Sequence, residues 1–265
     1  GGCCGTKPEH IAALVEAIDD WKPAPRPKRR PRFVSSPLQT VDLDEVPRPV
    51  IVGERTNAQG SKKAKKAVLA DDIDALFSLS QEQVNNGASI LDINLATSER
   101  ADEADLMRRV VTRLTSGVAA PVMIDTTDPE VVAAALERIP GRAIINSINF
   151  EGGEDRARRT LELAKRYGSY VICLTIDESG MAIDVKAKRQ IARRIAILAK
   201  SEFDIEADRL IFDPLTFTLA SGDEKYRKAA MQTLEGLREI KKDLPESLTV
   251  LGISNCSYGL AASSR

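Results

Sequence analysis

Short apolar runs alternate along this chain with longer stretches of helical period. Seven runs have the build of buried strands, and each closes on small or polar residues: 50–55, 90–94, 122–126, 143–147, 171–175, 210–213 and 250–255. Between them, apolar positions at helical spacing predict helices over 72–86, 102–116, 129–138, 154–167, 184–203 and 223–242. Gly87 and Gly168 stop two of these, and Asp128-Pro129 starts a third. Strands alternating with helices make βαβ units and a parallel sheet. The expected fold is α/β, a (β/α)8 TIM barrel, whose chemistry sits at the C-terminal tips of the strands. Glu54, Asp92, Asn94, Asp125, Asn146, Asp213 and Asn255 then gather around one mouth.

A closed barrel of this class needs an eighth strand, yet only ten residues follow Asn255. The expectation is a barrel truncated after its seventh strand. The chain also opens on Gly1-Gly2-Cys3-Cys4 without Met, as a fragment, processed product or excised piece would. Upstream of the barrel, Thr6, Pro8 and Glu9 start a helix whose apolar face is Ile11, Leu14, Val15 and Ile18. Residues 22–32 read as a Pro-rich basic linker, and 33–48, with two more prolines, as irregular chain. The expected division is 1–21, a tail of a preceding domain; 22–48, linker; and 49–265, the barrel.

Composition narrows the function. The formal net charge of −1 gives no global pull toward nucleic acid or membrane. The basic linker lacks interleaved aromatics, and Lys62, Lys63, Lys65 and Lys66 read as a solvated face after the first loop. No run reaches the roughly 18 apolar residues of a membrane span, and no signal peptide is visible, so a cytoplasmic protein is expected. Four cysteines in 265 residues do not make a disulfide framework. Cys173 reads as a buried thiol and Cys256 as packing or loop. Cys3 and Cys4 can ligate one zinc ion from a tight turn, although zinc takes at least three protein ligands and the sole histidine, His10, lies on a helix.

The barrel tips have no histidine, so they do not suit His-based acid–base chemistry, and no Gly-rich phosphate loop appears. Asp125 reads as a site residue or a helix cap, and Asn146 would be costly to bury unpaired. Together the tips offer carboxylates and carboxamides. That chemistry suits a neutral, flat heterocycle rich in N–H and C=O groups, such as an amino-pyrimidinone edge.

The motifs Gly53-Glu-Arg-Thr-Asn57, Leu91-Asp-Ile-Asn94, Met123-Ile-Asp-Thr126, Ile145-Asn-Ser147, Phe212-Asp-Pro214 and Gly252-Ile-Ser-Asn-Cys-Ser257 follow in an order that resembles the pterin-binding methyltransferases. Within that family the chain looks most like the folate-binding module of cobalamin-dependent methionine synthases. Its opening, Gly1-Gly-Cys-Cys-Gly-Thr6 through Pro8-Glu-His10, resembles the end of the preceding homocysteine module, where paired cysteines are zinc ligands. The resemblance covers nearly the whole chain; the upstream homocysteine barrel with its third zinc cysteine is missing. It implies that Asp125, Asn146 and Asp213 hold a pterin ring, and that Asn255 hydrogen-bonds near N5. Gly252 and Ser254 share that last motif, and Asp92 and Asn94 support the site. The implied reaction transfers the methyl of 5-methyltetrahydrofolate to cob(I)alamin on a separate module or corrinoid protein, within methionine synthesis. Two rivals are a dihydropteroate synthase-type enzyme, a family that carries a lysine on its seventh strand, and a non-catalytic folate-binding or docking module.

Overall fold

A computed structural model describes residues 2–25, 31–45, 47–218, 222–257 and 260. The chain divides into two compact units, Gly1–Pro31 and Arg32–Arg265. The first holds helix α1 (Pro8–Ala17). Thr6 does not cap it: its hydroxyl accepts from the Cys3 N–H at 3.0 Å, and Lys7 takes the N-cap place. Ile11, Leu14, Val15 and Ile18 are exposed. The basic run 26–30 lies outside the described residues. No helix among the described residues is long and apolar enough to cross a membrane.

The second unit opens with β1 (Phe33–Ser35) and β2 (Thr40–Asp42), an antiparallel hairpin where the sequence pattern reads irregular chain. Then come β3 (Val52–Asn57), α2 (Lys62–Leu69), α3 (Ile73–Asn85), β4 (Ile90–Asn94), α4 (Glu103–Thr115), β5 (Val122–Asp125), α5 (Pro129–Leu136), β6 (Ile144–Ile148), α6 (Asp155–Tyr167) and β7 (Tyr170–Leu174). A small ribbon, β8 (Ile176–Asp177) with β9 (Gly180–Met181), precedes α7 (Val185–Phe203), β10 (Leu210–Asp213), α8 (Ala229–Asp243) and β11 (Leu248–Thr249). Seven strands pair in parallel in the order β3-β4-β5-β6-β7-β10-β11, so the sheet follows the chain with helices between strands. β3 and β11 are its two edges, which leaves an open seam between the first and seventh strands.

Two apolar layers hold this arrangement. Outside the sheet, alternate strand residues such as Leu91, Ile93, Ile124, Ile145, Val171 and Phe212 meet the helices. α4 answers them with Leu106, Met107, Val110, Val111 and Leu114, one face at helical spacing. Each such side chain, fully buried, contributes about 1.5–3 kcal/mol. Inside, Ile90, Met123, Ile144, Tyr170, Ile172 and Ile211 form a second cluster, closed by Val34 and Val41 of the hairpin. The hairpin docks through paired backbone bonds between Ser35 and Arg142, both 3.1 Å. Next to them, a Cβ on Gly141 would lie 2.2 Å from the Ser35 carbonyl oxygen. Gly141→Ala is therefore expected to cost about 1–3 kcal/mol in urea unfolding, through overpacking against backbone. Unchanged stability would mean that the hairpin is not held there.

Two further elements differ from the sequence pattern. The run 250–255 is not the seventh strand: β11 is Leu248–Thr249, paired with Ile211 and Phe212. Val250 still donates to the Phe212 carbonyl, but β11 is an edge, and beyond Val250 the chain turns into a 3-10 segment, Ile253–Ser257. The lysine stretch after the first loop is helix α2. Ser61 caps it by accepting from the Ala64 N–H, and Ala64, Ala67 and Val68 bury its inner face while the lysines stay outside.

Candidate functional site

The inner face of each central strand is apolar at one end and polar at the other. On β4, Ile90 is followed on the same face by Asp92 and Asn94; on β5, Met123 by Asp125; on β6, Ile144 by Asn146; on β10, Ile211 by Asp213. Side chains two apart share a face of a strand. The interior cluster is thus topped by a layer of carboxyls and carboxamides at the C-terminal ends.

These groups are wired to one another. Asp125 Oδ2 accepts from Asn57 Nδ2 and from Asn94 Nδ2, each at 3.1 Å. Asn57 Oδ1 accepts from the Gln59 and Gly60 N–H groups, both 2.9 Å, which fastens the loop after β3 to the same carboxylate. Asn94 Oδ1 likewise accepts from the Ala96 N–H at 3.1 Å. Asn146 Nδ2 donates to Asp92 Oδ1 at 3.2 Å. Asp125 and Asn146 face each other in register across β5 and β6. The amide of Asn146 is thereby satisfied, as its position demands.

Burial sets the charges here. Asp92 is pushed up to about 8, first by burial and then by the neighbouring Asp125 charge, with the Asn146 amide opposing. Burial also raises Asp125, against the amide of Asn94. Asp92 therefore favours its protonated form at neutral pH. Asp213 is pushed up to about 6 by burial, opposed by the Leu215 N–H at 2.7 Å and then by Lys188. Exposed Glu54, on β3, raises all three carboxyls, which puts them within electrostatic reach of one point at the mouth. The layer can donate from Asp92 and the amides and accept at Asp125 and Asp213. It suits a flat heterocycle with mixed donors and acceptors.

The residues of the seventh run lie apart from this network. Ser254 and Asn255 are exposed in the 3-10 segment, and Gly252 is half-buried. Asn255 makes no side-chain hydrogen bond to the Asp and Asn cluster among the described residues. Its N–H bonds the Gly252 carbonyl at 3.1 Å, and that carbonyl also accepts from Thr216 Oγ1 at 2.6 Å, which ties the turn to the segment after Asp213. Asn57 closes the first sequence motif, and its place at the end of a strand, before Gly60, is the local signal that it joins these groups. Lys188, on α7, had none.

Cys3 and Cys4 stand with their sulfurs 3.8 Å apart and exposed, and Cys4 holds the Cys3 thiol below its usual range. No group of three or more His, Cys, Asp or Glu that could hold a metal occurs among the described residues. Two thiols do not fill a tetrahedral zinc shell. Dialysed against a mild chelator, the isolated chain is expected to retain no stoichiometric zinc; one zinc per chain by metal analysis would reveal a further ligand.

Residues 53–264 match the sequence profile of the family described as pterin binding enzyme. Two methionine synthases, from Mycobacterium leprae and Mycobacterium tuberculosis, are 38% and 36% identical over the full length of the chain. The chain spans only 23% and 22% of their lengths. Among solved structures, a Yersinia pestis dihydropteroate synthase with a pterine-sulfa conjugate aligns with TM-score 0.58 and 18% identity, over 83% of this chain and 77% of that one. A Xanthomonas albilineans dihydropteroate synthase aligns with TM-score 0.60 and 19% identity, over 85% and 78%. At those identities the likeness is one of fold.

Proposed function

The chain belongs to the pterin-binding enzyme family, and from that membership we propose that it binds 5-methyltetrahydrofolate at the barrel mouth and releases the N5-methyl group to cob(I)alamin, a step of methionine synthesis. The observation that carries the reading is the carboxyl and carboxamide layer over Asp92, Asp125, Asn146 and Asp213, in a chain whose whole length aligns with 23% of a methionine synthase. The acceptor resides on a separate corrinoid-carrying module, and a homocysteine module uses the methyl group afterwards. Cys3 and Cys4 belong to that homocysteine module's zinc site.

In this reading the pterin edge lies against Asp213, Asn146 and the Asp92–Asp125 pair, with Asn57 and Asn94 holding Asp125 in place. Cob(I)alamin supplies the nucleophile when its module docks. The methyl carbon leaves N5, and the bonding electron pair stays on nitrogen. A tertiary amine departs badly unless N5 takes up a proton, so a group that favours the cationic nitrogen lowers the barrier. Asn255 fills that role through its side-chain oxygen. Gly252 and Ser254 shape the turn that carries it.

Mixing the chain with 5-methyltetrahydrofolate and free cob(I)alamin in a single turnover tests this. Methylcobalamin formation at a rate above the protein-free mixture is expected. Tight folate binding with no transfer would favour a binding or docking module, and formation of dihydropteroate from its precursors would favour the activity of the fold neighbours. Asp213→Asn replaces an acceptor by a group that is half donor. It is expected to weaken folate binding about 10–100-fold, roughly 1.5–3 kcal/mol, with a smaller change in the transfer rate of the bound complex. Equilibrium titration beside single-turnover rates separates the two.

A further inference from the structure

Lys188 is fully buried although it is a lysine on a helix whose other basic residues face outward. Its Nζ donates to the Ala182 carbonyl at 2.7 Å and to the Pro214 carbonyl, and the Phe217 ring centroid lies 5.2 Å away. Pro214 is the middle of the turn that begins at Asp213. The other carbonyls of that turn are also held: Thr175 N–H donates to the Asp213 carbonyl at 3.1 Å, and Thr233 Oγ1 of α8 to the Leu215 carbonyl at 2.7 Å. Leu215 has φ of 62°, a left-handed conformation that a branched residue adopts only when its surroundings impose it. Its N–H meets Asp213 Oδ1 at 2.7 Å, so the shape of the turn decides where the carboxylate points.

A space is kept for the lysine. On α8, a Cβ at Gly236 would lie 2.7 Å from Lys188 Cδ. Burying an ammonium is costly, and a methionine would fill the same volume without that cost. The charges facing Lys188 are Asp213 from β10 and Asp184 from the start of α7. Those facing Asp213 are Lys188 and, across the mouth, Glu54. Core filling would account for the space at Gly236 but not for an ammonium that donates to two carbonyls, one of them in the turn.

We infer that Lys188 is the positioning residue for Asp213, a buried cation that locks the 213–215 turn and supplies the counter-charge for the carboxylate presented to the pterin. The inference rests on the folate reading for the pterin alone; the hold on the turn stands on the Lys188–Pro214 and Leu215–Asp213 hydrogen bonds. Burial draws the lysine down to about 8 while Asp213 opposes, as expected of a charge kept inside by its partner.

The test is a carboxyl-carbon NMR titration of the whole chain, with the Asp213 signal assigned by its loss in Asp213→Asn. In Lys188→Met the Asp213 midpoint should climb from near 6 to about 7 or higher, and the pH at which 5-methyltetrahydrofolate affinity halves should climb with it. Should Lys188→Met fail to fold, the reciprocal titration decides. In Asp213→Asn, the Lys188 side-chain midpoint should fall below about 8, read at its Cε. An Asp213 midpoint unmoved in Lys188→Met, or a Lys188 midpoint unmoved in Asp213→Asn, overturns the inference. A wild-type chain that binds no pterin at any pH would sink the folate reading, while the two titrations still decide the link.

Discussion

Asn255→Ala is expected to slow methyl transfer to cob(I)alamin about 10²–10³-fold, or about 3–4 kcal/mol, and to leave the affinity for 5-methyltetrahydrofolate within a few-fold of wild type. The asymmetry follows from when each contact is made. In the proposed reading Asp213 and Asn146 meet the pterin edge whether or not the methyl group is leaving, so they would contribute mostly uniform binding. A hydrogen bond at N5 strengthens only as that nitrogen becomes cationic, so its loss falls on the chemical step. The fold should hardly notice the change. Asn255 is exposed, and the turn around it is tied by the backbone of Gly252 and the hydroxyl of Thr216. Single-turnover rates beside equilibrium binding check it. Equal losses in rate and affinity would make Asn255 a binding residue and remove the proposed mechanism.

Asp92→Asn is expected to stabilise the protein by about 2–4 kcal/mol at pH 7. In the folded state the Asp92 carboxyl is raised to about 8, against 3.8 for the free group. The fold therefore holds the proton more tightly than the unfolded chain does. The stability that Asp92 brings is complete below about pH 3.8, is lost progressively as pH rises, and is gone above about pH 8. Asparagine never ionises, yet its oxygen can accept from Asn146 and its amide can donate toward Asp125 as the protonated acid does. The gain should thus grow from pH 4 to pH 8 and then level off. Urea unfolding across that range measures it. A variant no more stable than wild type at pH 7 would mean that the fold does not favour the protonated Asp92.

The strands whose pattern reads most directly are β4 and β10, because a buried run followed by an abrupt polar end marks both limits. β11 was misplaced for a physical reason: at a sheet edge only Phe212 and its neighbours hold the run, and apolar residues past Val250 turn away. The hairpin Phe33–Ser35 and Thr40–Asp42 was hidden because three-residue strands have no periodicity, and a proline lies between them. α2 was legible in Ser61 and in Ala64, Ala67 and Val68, but four lysines masked its narrow apolar face. Lys188 could not be found at all. On the helix it resembles its neighbours Lys186 and Arg189, and only Gly236 of α8 and the turn after Asp213 make it different.

The parallel order of the strands and the polar ends that carry Asp92, Asn94, Asp125, Asn146 and Asp213 can be read from the chain alone. Those are local properties: two-residue alternation chooses a face, and helical spacing between strands makes each crossover. The state of those groups, by contrast, is set by the folded arrangement. Asp125 is held by amides 68 and 31 residues away, and Asp92 by one 54 residues away. Whether a carboxyl is neutral or charged depends on the water removed around it and on the charges brought beside it, and no local pattern contains either quantity.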